Sequence, residues 1–91
     1  MHRITSSSIP RLADGLRVSW DIDEASFVLL YPEGMVVLDT LADLVLRHCD
    51  GSLTVAQIIA KLTSHPDDAN TARRVWTHLA LAAHRGWIIF D

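Results

Sequence analysis

Two short apolar runs separated by Pro-Glu-Gly form the clearest pattern in the chain, because residues 27–38 read FVLLYPEGMVVL. Each run has the length of one strand, is rich in residues that suit a pleated sheet and is bounded by turn formers, so the pattern predicts a β-hairpin. A half-buried hairpin alternates apolar with polar residues, whereas both faces of this one are apolar. We therefore expect that both faces are covered, or that one face and the free edge bind something outside the chain.

An alternating segment precedes this hairpin. In residues 16–22, Val18, Trp20 and Ile22 alternate with polar side chains, which predicts a strand with one buried face and one solvated face. Three polar or small residues link it to the hairpin. The three strands together predict an antiparallel meander whose first and third strands lie at the edges.

The hydrophobic period becomes helical after the meander, and each of three predicted helices has a plausible start. Asp39 is a suitable N-cap for the first helix, and Thr54 and Gln57 have the spacing of a capping box for the second. Residues 66–68 open the third helix, whose apolar positions keep helical spacing until Gly86. The pattern thus predicts three consecutive helices.

The predicted fold class is α+β, a winged-helix-like domain with a three-stranded antiparallel β-meander followed by three α-helices. Residues 1–8 are polar and serine-rich and are predicted to be a flexible N-terminal segment, and residues 9–91 form a single domain. Residues 87–90 are apolar and are expected to be extended and to pack back on the domain. A chain of 91 residues has room for one core.

Composition points to a protein partner. The hydrophobic fraction is 49% and the mean hydropathy is +0.21, which is high for a small domain and predicts an exposed apolar patch. The net charge of −3 argues against nucleic acid and anionic membrane as partners. Since no apolar run could span a bilayer or serve as a signal peptide, and Cys49 has no cysteine to pair with, we expect a cytoplasmic protein.

The side chains that could carry chemistry are scattered. The five histidines lack the spacing of metal ligands, and Cys49 has no base nearby in the sequence. Most carboxylates stand where helices start or turn, and the glycines are isolated at turns. We expect neither an enzyme nor a bound metal or cofactor.

The third helix leaves two interpretations open. Arg73, Arg74 and Arg85, with the histidines, give it a modest basic face, which could belong to a winged-helix DNA-binding protein or attract an acidic peptide. The overall acidity of the chain disfavours DNA. Trp20 and Trp87 are expected to be core or half-buried residues, and Trp76 is either a core residue or an anchor for a partner.

Three segments in order carry a family resemblance: FVLLYPEGMVVLD, CDGSLTVAQIIAKL and AAHRGWI. Over residues 10–89 the chain resembles the PqqD family, which takes part in the biosynthesis of pyrroloquinoline quinone. It departs from the family pattern at Asp39, where asparagine is common, and at Leu41 and Leu44, where small residues are common. Since Asp39 can still cap the helix, we expect altered packing there and an intact binding edge.

The resemblance implies a noncatalytic peptide chaperone, the recognition element of a modified-peptide pathway. Such proteins bind the ribosomally made precursor peptide of the quinone and present it to a radical S-adenosylmethionine (SAM) enzyme, which cross-links a glutamate and a tyrosine. The peptide is expected to add as a strand beside the third strand and to lie against the third helix. The implied site comprises Met35, Val36, Val37 and Leu38 on the strand, and Arg73, Arg74, Val75, Trp76, Thr77 and Leu79 on the helix. Such an exposed edge also permits a domain-swapped dimer instead of a monomer.

Overall fold

A computed structural model describes residues 4–63, 65 and 67–90 of the chain. Its strands are β1 (Pro10–Leu12), β2 (Arg17–Asp21), β3 (Ser26–Tyr31), β4 (Gly34–Val37) and β5 (Ile88–Phe90), and its helices are α1 (Thr40–Arg47), α2 (Val55–Leu62) and α3 (Ala69–His84). Within these residues, no helix has the length and apolar character needed to cross a membrane.

The predicted three-stranded meander is confirmed. Strands β2, β3 and β4 form one antiparallel sheet with β3 in the centre, so β2 and β4 are its edges. Leu29 of β3 is paired with Val18 of β2 and with Val36 of β4. Three helices follow in the described residues, so the predicted α+β fold class is confirmed as well.

The two faces of the hairpin have different surroundings. Leu29 is fully buried and Val36 packs beside it on the face that meets the helices. On the opposite face, Met35 is 41% exposed and Val37 is 49% exposed. On the same face, Val28 of β3 is only 1% exposed, so the exposed apolar side chains are confined to the edge strand β4. Of the two expectations for this hairpin, the structure therefore supports the free edge, while the face away from the helices is open only at β4.

The core lies between the sheet and the three helices. Its buried members come from β3, from each helix, from β5 and from the segments between these elements: Leu29, Leu38, Val45, Leu46, Cys49, Val55, Ile58, Val75, Leu79, Ala82 and Ile88. Helix α3 is the longest helix described here and supplies three of these residues. Helix α3 packs against α1, α2 and β5. Another part of its surface lines a groove together with β4.

The strand pair formed by the two ends of the domain was not predicted. The tail was expected to be extended and packed back on the domain, which is confirmed, but its partner is β1 in a separate two-stranded antiparallel sheet. Pro10 pairs with Phe90, and Leu12 pairs with Ile88. The backbone N–H of Leu12 also donates to the carbonyl of Cys49 at 3.1 Å, which joins this sheet to the end of α1.

The described part of the predicted flexible segment, residues 4–8, is hydrogen-bonded to α2. The carbonyl of Ser8 accepts from Val55 N–H at 2.9 Å, and the carbonyl of Ser6 accepts from Ala56 N–H at 3.0 Å. These are first-turn N–H groups that have no acceptor within their own helix. Residues 4–8 therefore cap α2 from outside, while residues 1–3 lie outside the described part of the chain.

The predicted helix starts are confirmed where they are described. Asp39 accepts from Ala42 N–H at 2.8 Å. Thr54 and Gln57 form both hydrogen bonds of the capping box. Asp68 caps α3, and Pro66 of the predicted start lies outside the described residues.

The prediction that Trp20 and Ile22 are buried is wrong. Trp20 is 55% exposed and Ile22 is 83% exposed. Trp20 contacts Phe27 edge-to-face with ring centroids 5.2 Å apart, but Ile22 is not among the residues packed against the core. Alternation identified the apolar face of β2, but this end of the hairpin extends beyond the surface that the helices cover.

Candidate functional site

A groove of about 240 Å³ lies between the edge strand β4 and helix α3. Its apolar lining comes from four elements or adjoining segments: Val36, Val37, Leu38, Ala42, Val45, Leu46, Leu81, Ala82 and Trp87. Asp39, His78 and Arg85 add polar or charged groups. The groove can therefore hold apolar side chains while charged groups contact the same ligand.

The backbone of β4 offers hydrogen bonds along this groove. Leu38 N–H donates to the carbonyl of Phe27 on β3 at 2.9 Å. Because hydrogen-bonded and non-hydrogen-bonded positions alternate along an antiparallel pair, Val36 N–H also points to β3. The N–H groups of Met35 and Val37 then point away from β3, and no other described strand pairs with that edge. An extended peptide could pair with both of them.

Helix α3 presents one face to the groove. His78, Leu81, Ala82 and Arg85 follow helical spacing, and Leu81 is 44% exposed. Nδ1 of His78 donates to the carbonyl of Arg74 at 2.8 Å, which directs Nε2 toward Asp39 Oδ1 at 3.8 Å. The helix thus approaches the end of β4 through His78.

Arg85 supplies a cation at the same groove. Its guanidinium carbon lies 5.0 Å from the centre of the Trp87 ring, a stacked arrangement. Among the described residues, no carboxylate pairs with Arg85. This guanidinium is consequently available to an acidic group on a ligand.

The predicted strand residues lie at the site. Val36, Val37 and Leu38 line the groove, and Met35 is exposed next to it. Leu38 itself is only 7% exposed and forms part of the groove floor. The structure therefore brings together the strand part of the predicted site.

The predicted helix residues lie elsewhere on α3. Val75 and Leu79 are fully buried in the core, so their side chains are not on the surface. Trp76 is half-buried against the core, and none of the six predicted helix residues lines the groove. The remaining three are exposed: Arg73, Arg74 and Thr77. Contact of the exposed residues with a peptide stays a prediction.

The part of α3 that faces β4 was not predicted from the sequence. The predicted helix contacts were residues 73–77 and 79, whereas the groove is lined by His78, Leu81, Ala82 and Arg85. One signal was present, because Leu81 is a large apolar residue just off the stripe that fills the core. A second apolar stripe on a helix indicates a second contact surface.

Two buried side chains with reactive or ionisable groups, Cys49 and Asp43, lie outside the lining of the groove. Burial, together with the negative charge of Asp50, raises the pKa of Cys49 to about 12, so its thiol stays protonated near neutral pH. The buried Asp43 carboxylate is held by Arg47 at 2.8 Å. Within residues 4–63, 65 and 67–90, no three His, Cys, Asp or Glu side chains are grouped so that they could hold a metal ion.

Comparisons with known proteins agree with this architecture. The family model described as coenzyme PQQ synthesis protein D (PqqD) matches residues 26–88. The PqqA binding protein of Azotobacter vinelandii is 37% identical over 89 residues, which is 97% of each chain. The PqqA binding protein of Acinetobacter baylyi is 40% identical over 75 residues, covering 81% of this chain and 76% of that protein.

A solved structure extends the similarity to the fold. The solution NMR structure of the PqqD truncation of Methylobacterium extorquens PqqCD matches with a TM-score of 0.75 and 34% identity, covering 96% of this chain and 95% of that one. That protein is described as a functional, stand-alone recognition element for ribosomally synthesized and post-translationally modified peptides.

Proposed function

This chain belongs to the PqqD family, and we propose that it binds the PqqA precursor peptide and presents it to the radical SAM enzyme of the same pathway. It performs no catalysis of its own in this proposal. The PqqA binding proteins to which the chain is similar support the choice of ligand. The comparisons lend no support to the alternative, a winged-helix DNA-binding protein.

The observation that carries the proposal is the open edge of β4 beside an apolar groove. Met35 and Val37 direct their N–H groups outward, two residues apart, as strand addition requires. Backbone hydrogen bonds at the edge hold the peptide in an extended conformation. Every second peptide side chain then faces the groove, where the pockets supply selectivity.

The helix contribution is placed at the groove-facing part of α3. His78, Leu81 and Arg85 contact the peptide side chains in this proposal, because they face β4 across the groove. Arg73, Arg74, Trp76 and Thr77 serve as further contacts for a peptide that continues past the groove. Val75 and Leu79 act only through the core that positions the helix.

Replacing Val37 tests the edge directly. Val37→Pro removes one outward N–H, and a proline there also obstructs pairing, so we expect a loss of affinity for PqqA of about tenfold or more. Val37→Ile keeps the N–H, the β-branched shape and the apolar surface at the groove, and it is the matched control with nearly unchanged affinity. Isothermal titration calorimetry with the synthetic PqqA peptide measures both.

The amide NMR spectrum locates the contacts in the same samples. We expect PqqA to shift the amide signals of residues 35–38 and 78–85 in the wild-type protein. Full affinity in Val37→Pro would remove the edge from the proposal. Shifts confined to residues 73–77 would move the helix contact back to the surface that the sequence predicted.

A further inference from the structure

A second apolar surface lies at the tip of the β2–β3 hairpin. We define the hairpin tip as residues 20–24, where Trp20 is 55% exposed and Ile22 is 83% exposed. The two residues are two positions apart at the end of the strand. The three other members of the hairpin tip are all carboxylates: Asp21, Asp23 and Glu24. Isolated exposed apolar residues are common, but here two large ones lie two positions apart and are flanked by three carboxylates, so we treat them as one exposed patch.

The fold does not explain this patch. Ile22 is absent from the residues that pack against the core, and Trp20 keeps most of its surface in solvent despite its contact with Phe27. Asp21 has a local role, because it accepts from the N–H groups of Asp23 at 2.9 Å and Glu24 at 3.1 Å. The side chains of Asp23 and Glu24 have no cationic partner among the described residues.

The hairpin tip adjoins the peptide groove without being part of it. A depression beside the hairpin tip is lined by Trp20, Phe27, Leu38 and Asp39, together with residues of α1. Leu38 and Asp39 also line the groove between β4 and α3. A protein seated on the hairpin tip would therefore lie beside one end of a peptide added to β4.

We propose that the hairpin tip is the docking surface for the protein that acts on the bound peptide. The matching surface of that protein is an apolar pocket that takes Ile22 and Trp20, bordered by lysine or arginine residues that pair with Asp23 and Glu24. An apolar centre with a charged rim is the usual arrangement of a specific interface. This inference rests on the proposed function, which names that protein as the radical SAM enzyme of the pathway.

Two variants of the hairpin tip test the inference. Ile22→Ser removes the exposed apolar anchor, and the double variant Asp23→Lys with Glu24→Lys reverses the charge of the rim. We expect each to weaken binding to the purified radical SAM enzyme by about tenfold or more, as loss of a central anchor does. Affinity for PqqA should stay within about twofold of wild type in both, since neither alters the groove.

Leu81→Ser is the reciprocal control because Leu81 lines the groove and lies outside the hairpin tip. It should weaken PqqA binding and leave enzyme binding measured without peptide unchanged. Biolayer interferometry with immobilised enzyme gives enzyme affinity, and calorimetry gives peptide affinity. Circular dichroism establishes that each variant is folded.

The possible results separate this inference from the proposed function. Wild-type enzyme affinity in both hairpin-tip variants overturns the inference while the peptide function stands. Equal losses of peptide and enzyme binding also overturn it, because the tip would then belong to the peptide site. Loss of self-association in Ile22→Ser, without loss of enzyme binding, assigns the tip to a second copy of the chain. If the wild-type protein binds no PqqA, the proposed function itself fails.

Discussion

Ala25 has a φ of +50° in the turn between β2 and β3, a conformation that a residue with a Cβ adopts at a cost of roughly 1 kcal/mol. Its N–H donates to the carbonyl of Ile22 at 3.3 Å, which closes the turn. Ala25→Gly should therefore raise the free energy of unfolding by about 0.5–1 kcal/mol, because glycine takes this conformation without strain. Urea denaturation measures the change.

Gly15 provides the opposite substitution. It has a φ of +85°, and a Cβ built there meets no atom within 4 Å, so Gly15→Ala adds backbone strain without a clash. It should lower the free energy of unfolding by about 1 kcal/mol. Changes of the same sign in both variants would contradict the conformational argument.

Asp68 makes the stability depend on pH in the acid range. Hydrogen bonds from the Thr71 side chain and backbone hold the pKa of Asp68 below its ordinary value of 3.8. A carboxyl whose pKa is lowered by folding stabilises the protein above its unfolded pKa, and this contribution disappears as the pH falls through its folded pKa. We therefore expect part of the acid destabilisation of the wild type to come from this N-cap.

Asp68→Asn isolates that contribution. Asparagine keeps an oxygen that can cap α3 but does not titrate in this range. The stability advantage of the wild type over Asp68→Asn should shrink between about pH 5 and about pH 2, as measured by urea denaturation at each pH. A constant difference across that range would mean that Asp68 does not titrate differently in the folded state.

The helix caps could be predicted from the sequence, whereas the solvent exposure of Trp20 could not. The caps at Asp39 and Thr54, and a helix start within residues 66–68, were identified because each cap depends on atoms within three residues of it. Trp20 was expected on the buried face of β2, as a core or half-buried residue, but it is 55% exposed. Its exposure depends on where the helices stop covering the sheet, which is a property of tertiary packing and leaves no periodic signal in β2.

At the scale of elements, neighbouring positions of β4 have different roles. Val36 N–H points to β3, so Val36→Pro removes a hydrogen bond from the sheet and should lower the free energy of unfolding by about 2 kcal/mol or more. Val37→Pro removes an N–H that points to solvent and should lower it much less. Thermal unfolding followed by circular dichroism compares the two.

The same pair tests the register on which the proposed function depends. A Val37→Pro variant that is less stable than Val36→Pro would show that the inward and outward positions are exchanged. Peptide addition would then have to use Val36 and Leu38 instead. The hairpin itself was predicted from its two apolar runs and its turn, because both signals are local.

The groove-facing side of α3 could not be chosen from sequence. The hydrophobic period of the α3 sequence distinguished the buried stripe, which includes Val75 and Leu79, from the exposed positions. Which exposed stripe meets β4 depends on the rotation and position of the helix against the sheet. Those are set by the whole core, so the predicted helix contacts lie nearer the start of α3 than the groove-lining residues His78, Leu81 and Arg85.

At the scale of the whole molecule, the two ends of the domain close against each other. Strands β1 and β5 come from opposite ends of the chain. Ile88 of β5 pairs with Leu12 of β1, and its side chain is buried in the core. Three-residue strands are too short to show a period, so the sequence contains no signal for which strand pairs with the apolar tail. The sequence predicted that the tail packs on the domain but could not specify where.

Apolar residues of this protein are either buried in the core or exposed to solvent, and Ile88 and Ile22 are an example of each. Ile88 is 2% exposed and Ile22 is 83% exposed, although both are isoleucines at or beside short strands. Ile88→Ala should lower the free energy of unfolding by about 2–4 kcal/mol, because it leaves a cavity where β5 meets the core. Ile22→Ala should change it by less than about 0.5 kcal/mol.

Urea denaturation of the two variants measures whether Ile88 contributes to the free energy of unfolding and Ile22 does not. A loss of 2–4 kcal/mol is about a third of the stability of a typical small domain, so Ile88→Ala should shift the midpoint well below that of the wild type. A large destabilisation by Ile22→Ala would mean that the hairpin tip is structural, and its exposed isoleucine would no longer argue for a partner. A neutral Ile22→Ala with a costly Ile88→Ala leaves an interaction outside this chain as the remaining reason for an apolar side chain in an acidic turn.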